Sequence, residues 1–119
     1  MTHDLDKALS GISGILVTPY CSKGDIAPAK LEPIIDRALN AGVHMPVANG
    51  NTGEFYALTT DEACTMVRDV AAMLNKRAPF LAGVGRGVRD ACKLAEVSAD
   101  AGASALMIHQ PPDPFVNGS

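Results

Sequence analysis

The chain has 119 residues, 47% hydrophobic and 19% charged, with a net charge of −3 and a pI near 5.5. That length fits one ordinary domain with ample core material, and the acidic balance argues against a nucleic-acid or anionic-membrane surface. No apolar run approaches the ~20 residues of a membrane span, and the polar leader "MTHDLDKALSG" does not read as a signal peptide; a cytoplasmic protein is expected.

The first apolar run, "GILVTPY" at 14–20, is β-rich and stopped by Thr18-Pro19, which predicts a strand near 14–18. Leu31, Ile34, Ile35, Ala38 and Leu39 then follow the i, i+3, i+4 spacing of one helical face, closed by Gly42. Pro28 and Pro33 oppose a long helix there, but a start near Lys30 puts Pro33 in the tolerant first turn, giving a helix near 30–41. "GVHMPVA" predicts a strand near 43–48, in which Pro46 removes one ladder donor. Thr59 with Glu62 makes a capping box, and Met66, Val67, Val70, Ala71 and Leu74 line one face of a helix near 60–75. "PFLAGVG" gives a strand near 80–84. Ala91, Leu94, Ala95, Ser98 and Ala99 mark a helix near 88–101, with Gly102 at a left-handed C-cap. "ASALMIH" gives a last strand near 103–108.

The four runs are nearly continuous in apolar residues, which predicts burial on both faces, as in parallel strands. The order β-α-β-α-β-α-β has a period of roughly 30 residues, one βα unit. Two α/β architectures fit: an open doubly wound sheet, or about half of a (β/α)8 barrel, which needs ~250 residues when whole. With Trp absent and aromatics at 4%, the core must come from Ala, Val, Leu, Ile and Met. Cys21, Cys64 and Cys92 are too widely spaced for a disulfide framework or a zinc site. Cys64 and Cys92 read as small apolar helix residues and Cys21 as a loop thiol; no metal and no cofactor is expected.

The polar stretch "NGNTGEFYAL" at 49–58 sits between the second strand and the capped helix. Its "GNTGE" core admits three readings. It is a plain strand-to-helix connection using Gly, Asn and Thr for turns, an anion cradle of backbone N–H groups helped by a Thr hydroxyl, or a nucleotide loop. The last is poorly supported: no G-x-x-x-x-G-K-[ST] exists, and "GVGRG" at 83–87 is followed by Val88 rather than a third glycine.

"GILVTPY", "GNTGEFYALTTDE", "PFLAGVG" and "AGASALMIHQPP", in that order and spacing from about Gly14 to Pro112, resemble the opening half of the dihydrodipicolinate synthase / N-acetylneuraminate lyase family. The resemblance implies a (β/α)8 TIM barrel, usually homotetrameric, and a class I aldolase, synthase or dehydratase acting on a 2-oxo acid such as pyruvate. In such enzymes a lysine on a later strand forms a Schiff base with the keto carbon, and a G-[ST]-T-G-E loop holds the substrate carboxylate. By that resemblance Gly50, Asn51, Thr52 and Gly53 are the substrate-binding residues, with Thr18, Glu54, Arg86 and His109 as further pocket candidates. Glu54 reads equally as a loop glutamate satisfied by nearby backbone. Arg86 attracts an anionic substrate or faces solvent. His109 joins the strand mouth or bonds a backbone carbonyl. His44 is expected to be partly buried in a strand, His3 terminal, and Tyr56 a packing residue.

Two departures from the synthases stand out. Asn51 replaces a relay hydroxyl and an amide cannot pass a proton in the same way, while Pro111 and Pro112 stand where the synthases carry tyrosines. "TGEFYALTTDE" looks closer to the sugar-acid dehydratase branch. Lys7, Lys23, Lys30, Lys76 and Lys93 fall in the leader, a loop or helices, so the Schiff-base lysine is expected outside this stretch. The chain is therefore read as the N-terminal portion of one barrel domain, without its own catalytic residue and inactive alone. It is expected to form a homo-oligomer or to associate with the missing half. The alternatives are a flavodoxin-like domain or a non-catalytic small-carboxylate binder.

Overall fold

In the computed structural model, which describes residues 4–111, four parallel strands lie in the order β1-β2-β3-β4. These are β1 (Ser13–Ile15), β2 (Met45–Ala48), β3 (Leu81–Val84) and β4 (Ala105–Ile108), alternating with α2 (Glu32–Asn40), α3 (Thr60–Leu74) and α4 (Val88–Ala101). A short α1 (Leu5–Leu9) precedes them, begun by Asp4, whose side chain accepts the Lys7 N–H. The polar leader had given no hint of it. Strand order follows chain order without a reversal. Right-handed crossovers then put every helix on one side of the sheet, as in a barrel and unlike a doubly wound sheet. Val47 stands in register with Ile15 and Leu81, and Ala48 with Ala82.

The core lies between that sheet and its helices. Leu16, Ala48, Phe80, Ala82 and Val84 from the strand side meet Leu31, Ile35, Val67, Val70, Leu74 and Leu94 from the helix side. Each large side chain buried there contributes about 1.5–3 kcal/mol. α3 starts on the Thr59 capping box, with both of its hydrogen bonds formed. Pro33 lies at the start of α2, after a 3₁₀ turn at Pro28–Leu31, so its missing N–H leaves no helical bond unmade. Gly102 closes α4 at φ +98°. Pro46 lies inside β2, fully buried and opposite Gly14.

Burial on both faces holds for the interior strands and fails at the edges. β2 is buried throughout, whereas Ile15, Val17 and Leu106 are about two-fifths exposed and Ile108 is 80% exposed. β1 and β4 each have a neighbour on one side only, so their apolar side chains keep solvent contact. Three helix positions also differ from expectation: Ile34, Ala99 and Cys92 are exposed, while Cys64 is buried. His44 is exposed rather than half-buried. It lies just before β2, its Nδ1 accepting the Ile12 N–H at 2.9 Å. His3 and Pro112 lie outside the described residues; Pro111 is exposed. No helix of the described residues is long and apolar enough to cross a membrane.

Candidate functional site

Residues 49–54 leave the carboxyl end of β2, which has β1 on one side and β3 on the other. In parallel α/β folds this rim is where ligands bind. Asn51 and Thr52 are exposed at the tip, and Gly50 and Gly53 are buried at its base. The flanking glycines also let the loop pack on β1: a Cβ at Gly50 would come 2.6 Å from Ile15 Cγ2, and one at Gly53 2.8 Å from the Leu16 carbonyl oxygen.

The loop is folded by its own carbonyls. Gly53 N–H donates to Gly50 O at 3.1 Å and Glu54 N–H to Asn51 O at 2.9 Å. Thr18, buried, donates its hydroxyl to Gly53 O at 2.5 Å. Asn49 enters the loop at φ 58° and Glu54 leaves it at φ 60°, left-handed conformations that Asn tolerates better than most residues. Asn49 is 3% exposed. Its Nδ2 donates to Ala63 O of α3 at 2.9 Å, and its Oδ1 has no partner among the described residues. Among those residues the N–H groups of Gly50, Asn51 and Thr52 also meet no acceptor.

His109 follows β4 and reaches over β3 to this loop. Its Nε2 lies 2.8 Å from Asn49 O; a carbonyl only accepts, so the imidazole carries its proton on Nε2. The ring stacks on Phe55 at 4.6 Å between centroids and 15° between planes, and the Arg86 guanidinium lies 4.5 Å from the same Phe55 centroid. Phe55 thus carries both a stacked imidazole and a guanidinium against its ring. Tyr56 packs edge-on against both rings and donates its hydroxyl to Gln110 O at 3.1 Å.

Arg86, half-buried, is bonded to the loop beside it. Its guanidinium donates to Thr60 Oγ1 at 2.9 Å, to Phe55 O at 2.8 Å and to Leu58 O. Three of five N–H donors are thus spent on the 55–60 segment, and the residue itself is strained at φ 74°. It clamps the second half of the loop onto the start of α3.

Tyr20, which sequence reasoning passed over, sits beside Glu54. Burial, then the charges of Glu54 and Glu62, and last a hydrogen bond to Glu54 raise its phenol above the ordinary tyrosine range. Glu54 itself is exposed. None of the five lysines enters the rim. Lys30 Nζ donates to Tyr20 O at 3.0 Å, and exposed Lys93 is held charged by its hydrogen bond to Asp61 at 3.1 Å, which raises its pKa. A Schiff-base amine needs the opposite shift. A cavity of about 190 Å³ lies at the other end of the sheet, among Ala71, Leu74, Phe80 and Ser104, and offers no charged partner to a carboxylate beyond Lys76.

The model of the dihydrodipicolinate synthetase family matches residues 8–112. The 4-hydroxy-tetrahydrodipicolinate synthases of Bacillus velezensis and Bacillus subtilis are each 33% identical, over 87% and 84% of this chain but only 36% and 35% of their own length. Among solved structures, dihydrodipicolinate synthase from Bacillus clausii superposes with a TM-score of 0.89 at 40% identity, covering 95% of this chain and 38% of that one. YagE of Escherichia coli K12, a family member solved in complex with pyruvate, superposes at 0.84 with 26% identity, over 90% of this chain and 36% of its own. The chain thus spans little more than a third of the relatives it matches. Its parallel four-stranded sheet is the first half of their barrel-like fold. The chain belongs to the dihydrodipicolinate synthetase family.

Proposed function

We propose that the protein to which these residues belong is a lyase acting on a 2-oxo acid, and that Gly50–Gly53 grip the substrate carboxylate. The observation that carries the reading is the position of this tetrapeptide at the carboxyl rim of an interior strand, with unaccepted N–H groups on Gly50, Asn51 and Thr52. Oriented backbone donors of this kind suit an oxyanion, and the Thr52 hydroxyl adds one more. Family membership supports the lyase class.

In the proposed chemistry a lysine beyond residue 119 adds to the keto carbon, water leaves, and the resulting iminium takes up the electron pair released at the neighbouring carbon. Residues 1–119 supply substrate binding and the floor of the site. Asn51 and Pro112, which stand in sequence where the synthases carry relay groups, favour dehydration of a sugar-derived 2-oxo acid over the synthase reaction. The uncovered edges of β1 and β4 favour association, with further copies or with the rest of the barrel. The absence of a lysine in the described rim favours carboxylate binding without turnover for the 119 residues alone.

Borohydride trapping tests the mechanism. The complete protein, incubated with pyruvate or a sugar-derived 2-oxo acid and then reduced, should carry a covalent adduct on a lysine outside residues 1–119. An unmodified mass with every 2-oxo acid tried would refute the Schiff base.

A further inference from the structure

We infer that His109 is the positioning residue of the carboxylate-gripping loop: crossing β3 above Gly83, its imidazole fixes the Asn49 carbonyl and so aims the Gly50 N–H into the rim. The inference deepens the carboxylate reading and rests on it.

A peptide unit is planar, with its C=O and the following N–H pointing in opposite directions. Holding the carbonyl of one residue therefore sets the direction of the next residue's N–H. The three unaccepted donors of the loop belong to the peptide units whose carbonyls are those of Asn49, Gly50 and Asn51. Gly50 O is held by Gly53 N–H and Asn51 O by Glu54 N–H, so two of the three units are fixed within the loop itself. Asn49 O is held from outside, by His109 at 2.8 Å. Asn49 occupies a left-handed conformation, so this unit has the least local reason to stay where it is.

The bridge needs room, and β3 supplies it. A Cβ at Gly83 would lie 2.0 Å from Asn49 O and 2.7 Å from His109 Nε2, crowding both partners. The ring is held from turning by its stack on Phe55, which Arg86 in turn holds by a ring contact and a hydrogen bond to its carbonyl. The loops after β2, β3 and β4 thereby act as one unit. His109 touches no reacting atom in this account; it acts through the Asn49 peptide.

The test uses the ¹⁵N-labelled chain, His109→Leu, which removes the donor, and His109→Gln, whose amide can stand in for Nε2–H. Pyruvate is titrated against each and read at the Thr52 amide, with the ligand-free Gly50 amide shift recorded first. Loss of one orienting hydrogen bond should weaken pyruvate binding about tenfold in His109→Leu and displace the free Gly50 signal. His109→Gln should recover most of both. Unchanged affinity and an unchanged Gly50 signal in His109→Leu would overturn the inference, as would a Gln variant as impaired as the Leu one. If the parent chain bound no pyruvate, the carboxylate reading would fall, while the ligand-free Gly50 signal in the two variants would still judge the latch.

Discussion

The imidazole of His109 and the carbonyl of Asn49, sixty residues apart in sequence, are joined by a 2.8 Å hydrogen bond that passes over a glycine of the intervening strand. The bond ties the ends of two non-adjacent strands, β2 and β4, into one rim.

Gly83→Ala should be costly and Gly85→Ala mild. The new methyl at 83 meets backbone at 2.0 Å, whereas at 85 it meets His109 Cβ at 3.1 Å and the Phe55 ring at 3.3 Å, side-chain atoms that can shift. Overpacking of the first kind costs about 1–3 kcal/mol, read as a lower urea midpoint. Equal midpoints for the two variants would contradict the account.

Thr18→Val keeps the shape of a buried residue but leaves Gly53 O without its donor. A buried carbonyl left unpaired costs about 1–3 kcal/mol. Denaturant unfolding should show a loss in that range, and hydrogen exchange should rise at Gly53 and Glu54. Wild-type exchange there would show that β1 does not hold the loop.

Thr59→Ala removes the acceptor for the Glu62 N–H at the start of α3. A lost N-cap of this type costs about 1 kcal/mol. Thermal melting should register it without any change in ligand binding, since the cap lies behind the loop. A variant that melts like the parent would mean that the start of α3 is set by packing alone.

Tyr20 carries the pH prediction. Its phenol is raised, first by burial and then by Glu54 and Glu62. A raised folded pKa means that stability is fully present below the unfolded value near 10 and falls as the pH climbs through the folded one. Glu54→Gln should bring the Tyr20 transition down toward the ordinary range, followed by tyrosinate absorbance in a Tyr56→Phe background. An unmoved transition would separate the two residues.

Much of the scaffold was legible because it is local. The Thr59–Glu62 pair, the alternation of apolar runs with helical faces and the left-handed Gly102 each depend on residues a few positions apart. Their chemistry is written in consecutive letters. α1 was not, because five residues begun by Asp4 bury only Ala8 and leave no periodic stripe. The edges of the sheet were not legible either. "ASALMIH" reads like an interior strand, yet Ile108 is mostly exposed, since burial depends on which strands become neighbours. The rim was half legible. "GNTGE" marked the connection between β2 and α3 but left its role open among three readings, and bonding to a backbone carbonyl was one of two readings for His109. That the carbonyl is Asn49's, that Arg86 clamps Phe55 and Leu58, and that Tyr20 meets Glu54 all depend on contacts spanning tens of residues, which no local pattern encodes.

Association can be read directly. With Ile108 and Leu106 uncovered on β4, sedimentation should show species heavier than a monomer, growing with concentration, and Ile108→Lys should reduce them. A parent chain that stays monomeric at high concentration would contradict the edge-strand account.

The most direct measurement is an amide-resolved NMR titration of the chain with pyruvate. Saturable shifts centred on Gly50, Asn51, Thr52 and Gly53, and abolished or strongly weakened in Thr52→Val, are the predicted result. No shift at millimolar pyruvate, or shifts confined to the α3–α4 end of the sheet, would contradict the assignment of this loop as a carboxylate site.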